Sequence, residues 1–229
     1  MSPDPSASPV PDDGQTSWTL VHAAADGSQS ALNQFADRYQ TTVRQTLAAR
    51  WSRSRRIDWI DDAVQEVFVE CIRPGGALAK ANSHFSGGFR AYLFGVTRNV
   101  MLRYESRRVA GQLDPEEFVA DEATVGKAFD REYARAIMKE ASQRQRQIAE
   151  SQGDAAVRRV ELLNARFTDG MPIREIAQRW SVDAGWLHHE YSKARSEFLS
   201  ALLDVVAASQ PSATPAENHA TCKELLSML

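Results

Sequence analysis

The chain has 229 residues, of which 43% are hydrophobic and 25% are charged, and its formal net charge is −3. This length allows one large domain or two small ones, and the composition is ordinary for a soluble protein. Two cysteines, Cys71 and Cys222, form neither a metal-binding cluster nor a disulfide framework, which favours a reducing, cytoplasmic location. No apolar run approaches membrane-spanning length, and residues 1–16 lack the basic and apolar blocks of a signal peptide.

Charge is segregated along the chain. Residues 38–56 contain six arginines and no acid, whereas residues 57–72 contain five acids and no base. Residues 112–132 contain seven acids and two bases. Such segregation indicates several charged partners, although solvated helix faces give the same counts.

The N-terminal part of the sequence predicts a tail followed by two helices. Residues 1–16 are rich in Pro, Ser and Asp and can bury little apolar surface, so we expect a disordered tail. A helix is predicted over 17–35, with a break near Gly27, and a second over 29–52. The second ends in arginines whose charges either complement the helix dipole or form a phosphate-binding ridge: Arg50, Arg53, Arg55 and Arg56.

The next predicted helix, residues 58–73, has two different faces. Asp58 is its expected N-cap, and Val64 and Phe68 belong to the stripe that faces the core. The opposite face is mostly acidic but includes a valine, and it consists of Asp62, Glu66, Val69 and Glu70. Such a face fits a protein partner with a basic surface better than it fits plain solvation.

A loop over 77–88 precedes a predicted helix over 89–108 that combines aromatic and basic side chains. Its apolar stripe includes Phe89 and Tyr104, which alone would indicate only a core helix. A helix that mixes aromatics with arginines suits a nucleic-acid backbone and unstacked bases. Against one acid, Glu105, this helix carries Arg90, Arg98, Arg103, Arg107 and Arg108.

Two later segments give weaker signals. Residues 112–123 form an acidic linker before a predicted helix over 124–150, and the run SQRQRQ is polar on every side, which predicts that this helix is exposed. Residues 208–229 combine a Pro/Ser/Thr linker with a short apolar end. We expect a frayed terminus there, or a tethered helix that packs elsewhere or binds a regulator.

Residues 154–207 are predicted to form a second, smaller helical domain. An amphipathic helix with Phe167 in its apolar stripe precedes a short helix from Pro172 to Trp180, a turn, and a long helix that runs from residue 184 to 206. This order fits a helix-turn-helix whose second helix enters a major groove, although any three-helix bundle has the same spacing.

Three segments resemble, in the same order, those of bacterial sigma factors of the sigma-70 family, extracytoplasmic-function subgroup. Residues 61–68, DDAVQEVF, are similar to the family's D-[LV]-x-Q-[ED]-x-F segment, which docks on the clamp helices of RNA polymerase. Residues 89–108, FRAYLFGVTRNVMLRYESRR, resemble its promoter-melting helix. Residues 175–195, EIAQRWSVDAGWLHHEYSKAR, resemble its promoter-reading helix-turn-helix.

The resemblance implies an all-α protein with two helical domains: a sigma region 2-like bundle over 17–110 and a region 4-like helix-turn-helix domain over 154–207. A partly helical acidic linker over 111–153 would join them, and 1–16 and 208–229 would be tails. The implied function is not enzymatic. The chain would bind core RNA polymerase, double-stranded promoter DNA and the melted single strand, without cofactor or metal. An anti-sigma protein or a kinase would be further candidate partners, and no membrane is implied.

The resemblance also assigns residues to these partners. Polymerase would be bound by Asp61, Asp62, Gln65, Glu66 and Val69. Promoter melting would involve Phe85, Arg90, Arg98, Asn99, Arg103, Arg107 and Arg108. The helix-turn-helix would read DNA with Trp186, His188, His189, Glu190, Ser192, Lys193 and Arg195.

The sequence departs from the family pattern at four positions. Tyr92 stands where Trp is common, Arg103 where an acid is common, and His188 where lysine is usual. Glu190 stands where arginine is frequent, so it either repels phosphates or accepts a hydrogen bond from cytosine N4.

Two other classes of function remain open. A stand-alone regulator would use only the helix-turn-helix and would leave the acidic helix without a partner. A sigma-like interaction protein would keep the fold without promoter activity. The sequence contains no Gly-rich phosphate loop, no Ser/His/Asp grouping and no metal-ligand spacing, which argues against catalysis.

Overall fold

A computed structural model of the chain describes residues 17–81, 88–106 and 119–229. In these ranges the protein consists of ten α-helices and one 3-10 helix, without a β-strand, so the predicted all-α fold class is confirmed. The predicted tail 1–16, together with Phe85, Arg107 and Arg108, lies outside the described residues.

The helices follow one another with short connections. Their bounds are α1 Ser17–Ala25, α2 Gln29–Trp51, α3 Ile60–Ile72, α4 Ala77–Lys80, α5 Gly88–Ser106, α6 Glu122–Gln152, α7 Asp154–Phe167, α8 Ile173–Trp180, α9 Ala184–Ser209 and α10 Pro215–Ser227. The 3-10 helix spans Arg55–Trp59. Within the described ranges, none of these helices has the length and apolar character needed to cross a membrane.

Local residue chemistry explains where the first helices begin and end. The predicted break at Gly27 is present, because this residue adopts a φ of +87° that favours glycine, and Ser28 then caps α2. The expected N-cap of the next helix was wrong: Asp58 lies in the 3-10 helix, and α3 begins two residues later. Part of the predicted loop 77–88 forms the short helix α4.

Aromatic rings from four helices meet in the main core. Tyr39 of α2 lies with its ring centroid 5.4 Å from Phe89 of α5 and 5.9 Å from Tyr133 of α6. Phe35 of α2 contacts Phe68 of α3 at 5.8 Å. Each such pair adds about 0.5–1.5 kcal/mol beyond the burial of its apolar area, so this cluster fixes the mutual positions of the four helices.

Helix α6 is not an exposed helix, in contrast to the expectation from its polar run. It lies antiparallel to α2 and buries Phe129, Tyr133 and Ile137 in the main core. Gln145, within the run SQRQRQ, is only 3% exposed and donates a hydrogen bond of 3.1 Å to the carbonyl oxygen of Ala194 in α9. A polar side chain is stable in this position because its amide has found a buried partner.

The end of α2 is tied to two other helices through one arginine. Arg50 donates hydrogen bonds to both carboxylate oxygens of Glu105 in α5, at 2.7 and 2.9 Å, and a third to the carbonyl oxygen of Ala120 before α6. Trp51 also donates to Glu105, at 3.1 Å. Arg50 is therefore a structural anchor. It lies in the last turn of α2, where its charge complements the helix dipole as predicted, and its guanidinium is bound by Glu105.

A smaller buried cluster lies between α7, α8 and the start of α9. It consists of Leu162, Ile173, Ile176, Ala177 and Leu187. The second half of α9 belongs to the main core instead, where Leu202 and Val206 are buried. Trp18 of α1 reaches this half with a hydrogen bond of 2.7 Å to the carbonyl oxygen of Ser209.

The C-terminal segment forms a packed helix, so the expectation of a frayed terminus was wrong and the alternative of a tethered helix that packs elsewhere is confirmed. Thr214 and Glu217 form a reciprocal capping box at the start of α10. Cys222 and Leu225 are 5% and 3% exposed and pack into the main core. Burial of these side chains gives the short helix a stability that its sequence alone does not provide.

Candidate functional site

The outer face of α3 has the two-sided character that its sequence predicts. Val64 and Val67 are buried, whereas Asp61, Asp62 and Gln65 are exposed. Val69 is 60% exposed on the same outward side. An exposed valine framed by acidic and amide side chains is complementary to a partner that has an apolar spot within a basic surface.

Some of the acidic residues on α3 are already engaged within the chain. Arg103 of α5 lies 3.2 Å from Glu66 and 2.9 Å from Glu70. The hydrogen bond from Arg103 is the main reason that the pKa of Glu70 is below its ordinary value. Asp61 pairs with Arg44 of α2. Among the described residues of this face, those that are exposed and form no ion pair are Asp62, Gln65 and Val69, which we call the α3 patch.

The arginines of α5 that were predicted to contact DNA are also paired. Arg90 lies 3.2 Å from Asp130 of α6 and 2.9 Å from Glu224 of α10. Arg98 lies 2.6 Å from Glu122 at the start of α6. Asn99 is exposed on the same helix. Acidic side chains thus surround the described part of this predicted DNA surface.

The aromatic side chains of α5 do not form an exposed stacking surface, and this corrects the sequence interpretation. Phe89 and Tyr104 are 2% and 6% exposed. Phe94 packs against Phe129 with ring centroids 5.1 Å apart, and the Tyr92 hydroxyl donates to the carbonyl oxygen of Ala77 at 2.6 Å. These rings hold the bundle together, so in the described part of α5 they do not face unpaired bases.

Helices α8 and α9 follow the predicted order of a short helix, a tight turn and a long helix. Ser181 ends α8 in the left-handed conformation, with a φ of 53°, and the side chain of Asp183 accepts a hydrogen bond of 2.7 Å from the Trp186 amide. Ile176 and Leu187 are fully buried between the two helices. The first turns of α9 expose the predicted residues Trp186, His188, His189, Ser192, Lys193 and Arg195.

Glu190 does not lie on the exposed side of α9, so neither of its predicted roles fits. Its side chain is 12% exposed, 3.4 Å from Arg159 of α7 and 2.9 Å from Lys193. The hydrogen bond from Lys193, supported by Arg159, lowers the pKa of Glu190. Arg159 also binds Glu197 at 2.7 Å. This network joins α7 to α9 and explains why the acidic side chain of Glu190 is tolerated in a nearly buried position.

Two surface features near α9 were missed in the sequence. Phe167 is 69% exposed instead of buried in the stripe of α7, and its ring centroid lies 6.4 Å from that of Tyr191, over which Arg195 lies at 5.8 Å. Arg158 lies over the ring of Trp180 at 5.1 Å. The only signal for Phe167 was its position directly before the Thr168-Asp169-Gly170 helix end.

The ion-pair role of Glu190 gives a direct prediction. Glu190→Gln should lower the free energy of unfolding by about 1–3 kcal/mol, because two charge-assisted hydrogen bonds weaken in a nearly buried site. Urea unfolding followed by circular dichroism measures this change. Glu161→Gln removes the same charge from an exposed position on α7 and should change stability by less than about 0.5 kcal/mol. Equal stability of the two variants would contradict the assigned network.

No protein-family model and no curated protein matches this chain. In the described residues, no group of three or more His, Cys, Asp or Glu side chains is placed to hold a metal ion. The candidate site is therefore defined by its surfaces: the α3 patch, the paired arginines of α5 and the exposed start of α9.

Proposed function

We propose that this chain is a sigma factor of the extracytoplasmic-function type. It binds core RNA polymerase through the α3 patch and promoter DNA through α5 and the helix-turn-helix α8–α9. Its action is to bring polymerase to a promoter and to help open the duplex, without chemistry of its own.

The observation that carries the proposal is the α3 patch. Val69 is 60% exposed while the residues on the opposite side of the same helix are buried, so α3 is both a core helix and an outward-facing surface. Asp62 and Gln65 stand about two turns and one turn before Val69, respectively, and give this surface a negative, hydrogen-bonding rim. The sequence similarity to the polymerase-docking segment, residues 61–68, includes Asp62 and Gln65 and ends directly before Val69.

The start of α9 adds independent support. It presents an indole, two imidazoles, a hydroxyl and a guanidinium on exposed positions after a capped turn. Such side chains donate and accept hydrogen bonds at base edges and phosphates in a major groove. A stand-alone regulator would use the same helix, but it would leave the α3 patch unexplained.

A second candidate function is a sigma-like protein that binds polymerase without initiating transcription. The pairing of Arg90, Arg98 and Arg103 with acids favours it, because neutralised arginines attract phosphates less strongly. Both functions require the α3 patch, so polymerase binding does not distinguish them. Transcription assays separate the second candidate from the first.

Binding to core RNA polymerase tests both proposals at their shared step. Asp62→Arg combined with Val69→Lys places positive charge against a basic partner and should weaken binding at least about tenfold. Affinity is measured by fluorescence anisotropy with purified core enzyme.

The matched control adds the same positive charge elsewhere. Asp26→Arg combined with Gln40→Lys changes two exposed positions, one directly after α1 and one in α2. This variant should bind polymerase with an affinity within about twofold of the native chain. Circular dichroism establishes that both double variants are folded. A folded α3 variant that binds polymerase as tightly as the native chain would remove the polymerase assignment.

A further inference from the structure

Helix α10 packs on α9 and α6, and one of its acidic side chains reaches the first arginine of the predicted DNA surface at the beginning of α5. Its inward side buries Asn218, Cys222 and Leu225. Its outward side carries Glu224, whose carboxylate lies 2.9 Å from the Arg90 guanidinium.

Arg90 is enclosed by acids from two helices. Its Nε atom faces Asp130 of α6 at 3.2 Å, and its Nη1 atom donates to Glu224 of α10 at 2.9 Å. A guanidinium binds phosphate through the same N–H groups that it uses here for carboxylates. Arg90 cannot satisfy both acids and also hold a DNA phosphate, and Glu224 adds a negative charge that repels the DNA backbone.

Helix α10 is held by few buried side chains and a partly exposed ion pair, so it can detach locally from the rest of the protein. Of its 13 residues, three are buried, and the ion pair with Arg90 is partly exposed, at 31% and 54% of the side-chain surfaces. Few buried contacts are typical of segments that open locally while the rest of a protein stays folded. The capping box of α10 is formed by Thr214 and Glu217, so the start of the helix does not depend on the ion pair with α5.

We propose that α10 is an autoinhibitory helix: it covers Arg90 in the free protein, and DNA binding requires that Glu224 and α10 move away. This inference rests on the proposed function, because it assumes that Arg90 faces DNA. Duplex DNA and α10 then compete for one surface, so weakening either contact of α10 strengthens DNA binding.

Two readouts on the full chain test this competition. The first is the anisotropy of a fluorescein-labelled duplex of mixed sequence over a salt series. Glu224→Gln should tighten binding roughly twofold to fivefold, the range expected from loss of a partly exposed ion pair. Asp204→Asn removes one negative charge from an exposed position on α9 and should leave the affinity unchanged.

The second readout reports the position of α10 without reference to transcription. Cys222 is 5% exposed, and burial raises the pKa of its thiol, so iodoacetamide should modify it slowly in the closed protein. Mass spectrometry of digested peptides measures its modification rate. Glu224→Gln, or excess duplex added to the native chain, should increase this rate. Cys71, at 2% exposure in α3, should stay protected and serves as the internal reference.

Three outcomes are distinguishable. The proposal is supported if Glu224→Gln binds the duplex more tightly and if added duplex increases the rate at which iodoacetamide modifies Cys222. The autoinhibition is overturned if the native chain binds the duplex, Glu224→Gln does not bind it more tightly, and the modification rate of Cys222 does not change. The proposed function would still stand in that case. A variant that lacks residues 211–229 removes α10 entirely. If neither it nor any other folded variant binds the duplex, both proposals are overturned.

Discussion

Arg50→Ala should lower the free energy of unfolding by about 3–5 kcal/mol, the range expected when one partner of a buried ion pair is removed. The side chains of Arg50 and Glu105 are only 12% and 17% exposed. Loss of Arg50 leaves the Glu105 carboxylate with the Trp51 indole and removes the donor to the Ala120 carbonyl oxygen. Urea unfolding monitored by circular dichroism at neutral pH measures the change.

The control is an arginine on the same helix with an exposed partner. Arg44 pairs with Asp61, and these side chains are 41% and 72% exposed, so Arg44→Ala should cost less than about 1 kcal/mol. Similar losses for the two variants would contradict the anchoring role of Arg50.

Acid should remove most of the difference between the native chain and Arg50→Ala. Burial favours a raised pKa for Glu105, but hydrogen bonds from Arg50 and Trp51 outweigh burial and hold the pKa below its ordinary value. A depressed carboxyl pKa contributes stability above the ordinary value of about 4.3, and this stability is lost as pH falls through the folded-state pKa. The two unfolding curves should therefore converge in strong acid.

Phe129→Ala should also cost about 3–5 kcal/mol, because it removes a large ring from a closed site. Phe129 is 1% exposed and lies 5.1 Å from Phe94 and 6.0 Å from Tyr133, measured between ring centroids. The substitution tests whether α6 is part of the main core instead of a connecting segment. Thermal and urea unfolding give the change in stability.

The same substitution at an exposed ring provides the comparison. Phe167 is 69% exposed on α7, so Phe167→Ala should change the unfolding free energy by less than about 1 kcal/mol. If Phe129→Ala were as mild as Phe167→Ala, α6 would not contribute to the core as described.

Local signals in the sequence predicted the helices whose ends are set by nearby residues. Pro172 precedes α8 and Asp183 caps α9, so the bounds of α8 and the start of α9 were predicted to within one residue, whereas α9 ends three residues later than expected. The two faces of α3 were predicted from the spacing of its valines and acids. In each case the determining residues lie within one or two helical turns of each other.

Contacts between distant parts of the chain could not be predicted in this way. Arg159 and Glu190 are 31 residues apart, and Arg90 and Glu224 are 134 apart, so no local pattern pairs them. Gln145 lies in a polar run and was expected on the surface. Its buried partner, the carbonyl oxygen of Ala194 in α9, is 49 residues away and leaves no local signal. The roles of α6 and α10 depend on such contacts, and the predicted division into two domains with a linker stays a prediction.

Transcription by purified core RNA polymerase measures the proposed sigma activity most directly. Core enzyme is incubated with a library of duplex templates that carry randomised upstream sequences, with and without the chain, and the 5′ ends of the transcripts are sequenced. We expect defined start sites on a subset of templates only when the chain is present, with more transcript from Glu224→Gln and none from Asp62→Arg combined with Val69→Lys. The assignment as a sigma factor would be contradicted if neither the native chain nor Glu224→Gln changed the transcripts that core enzyme makes alone.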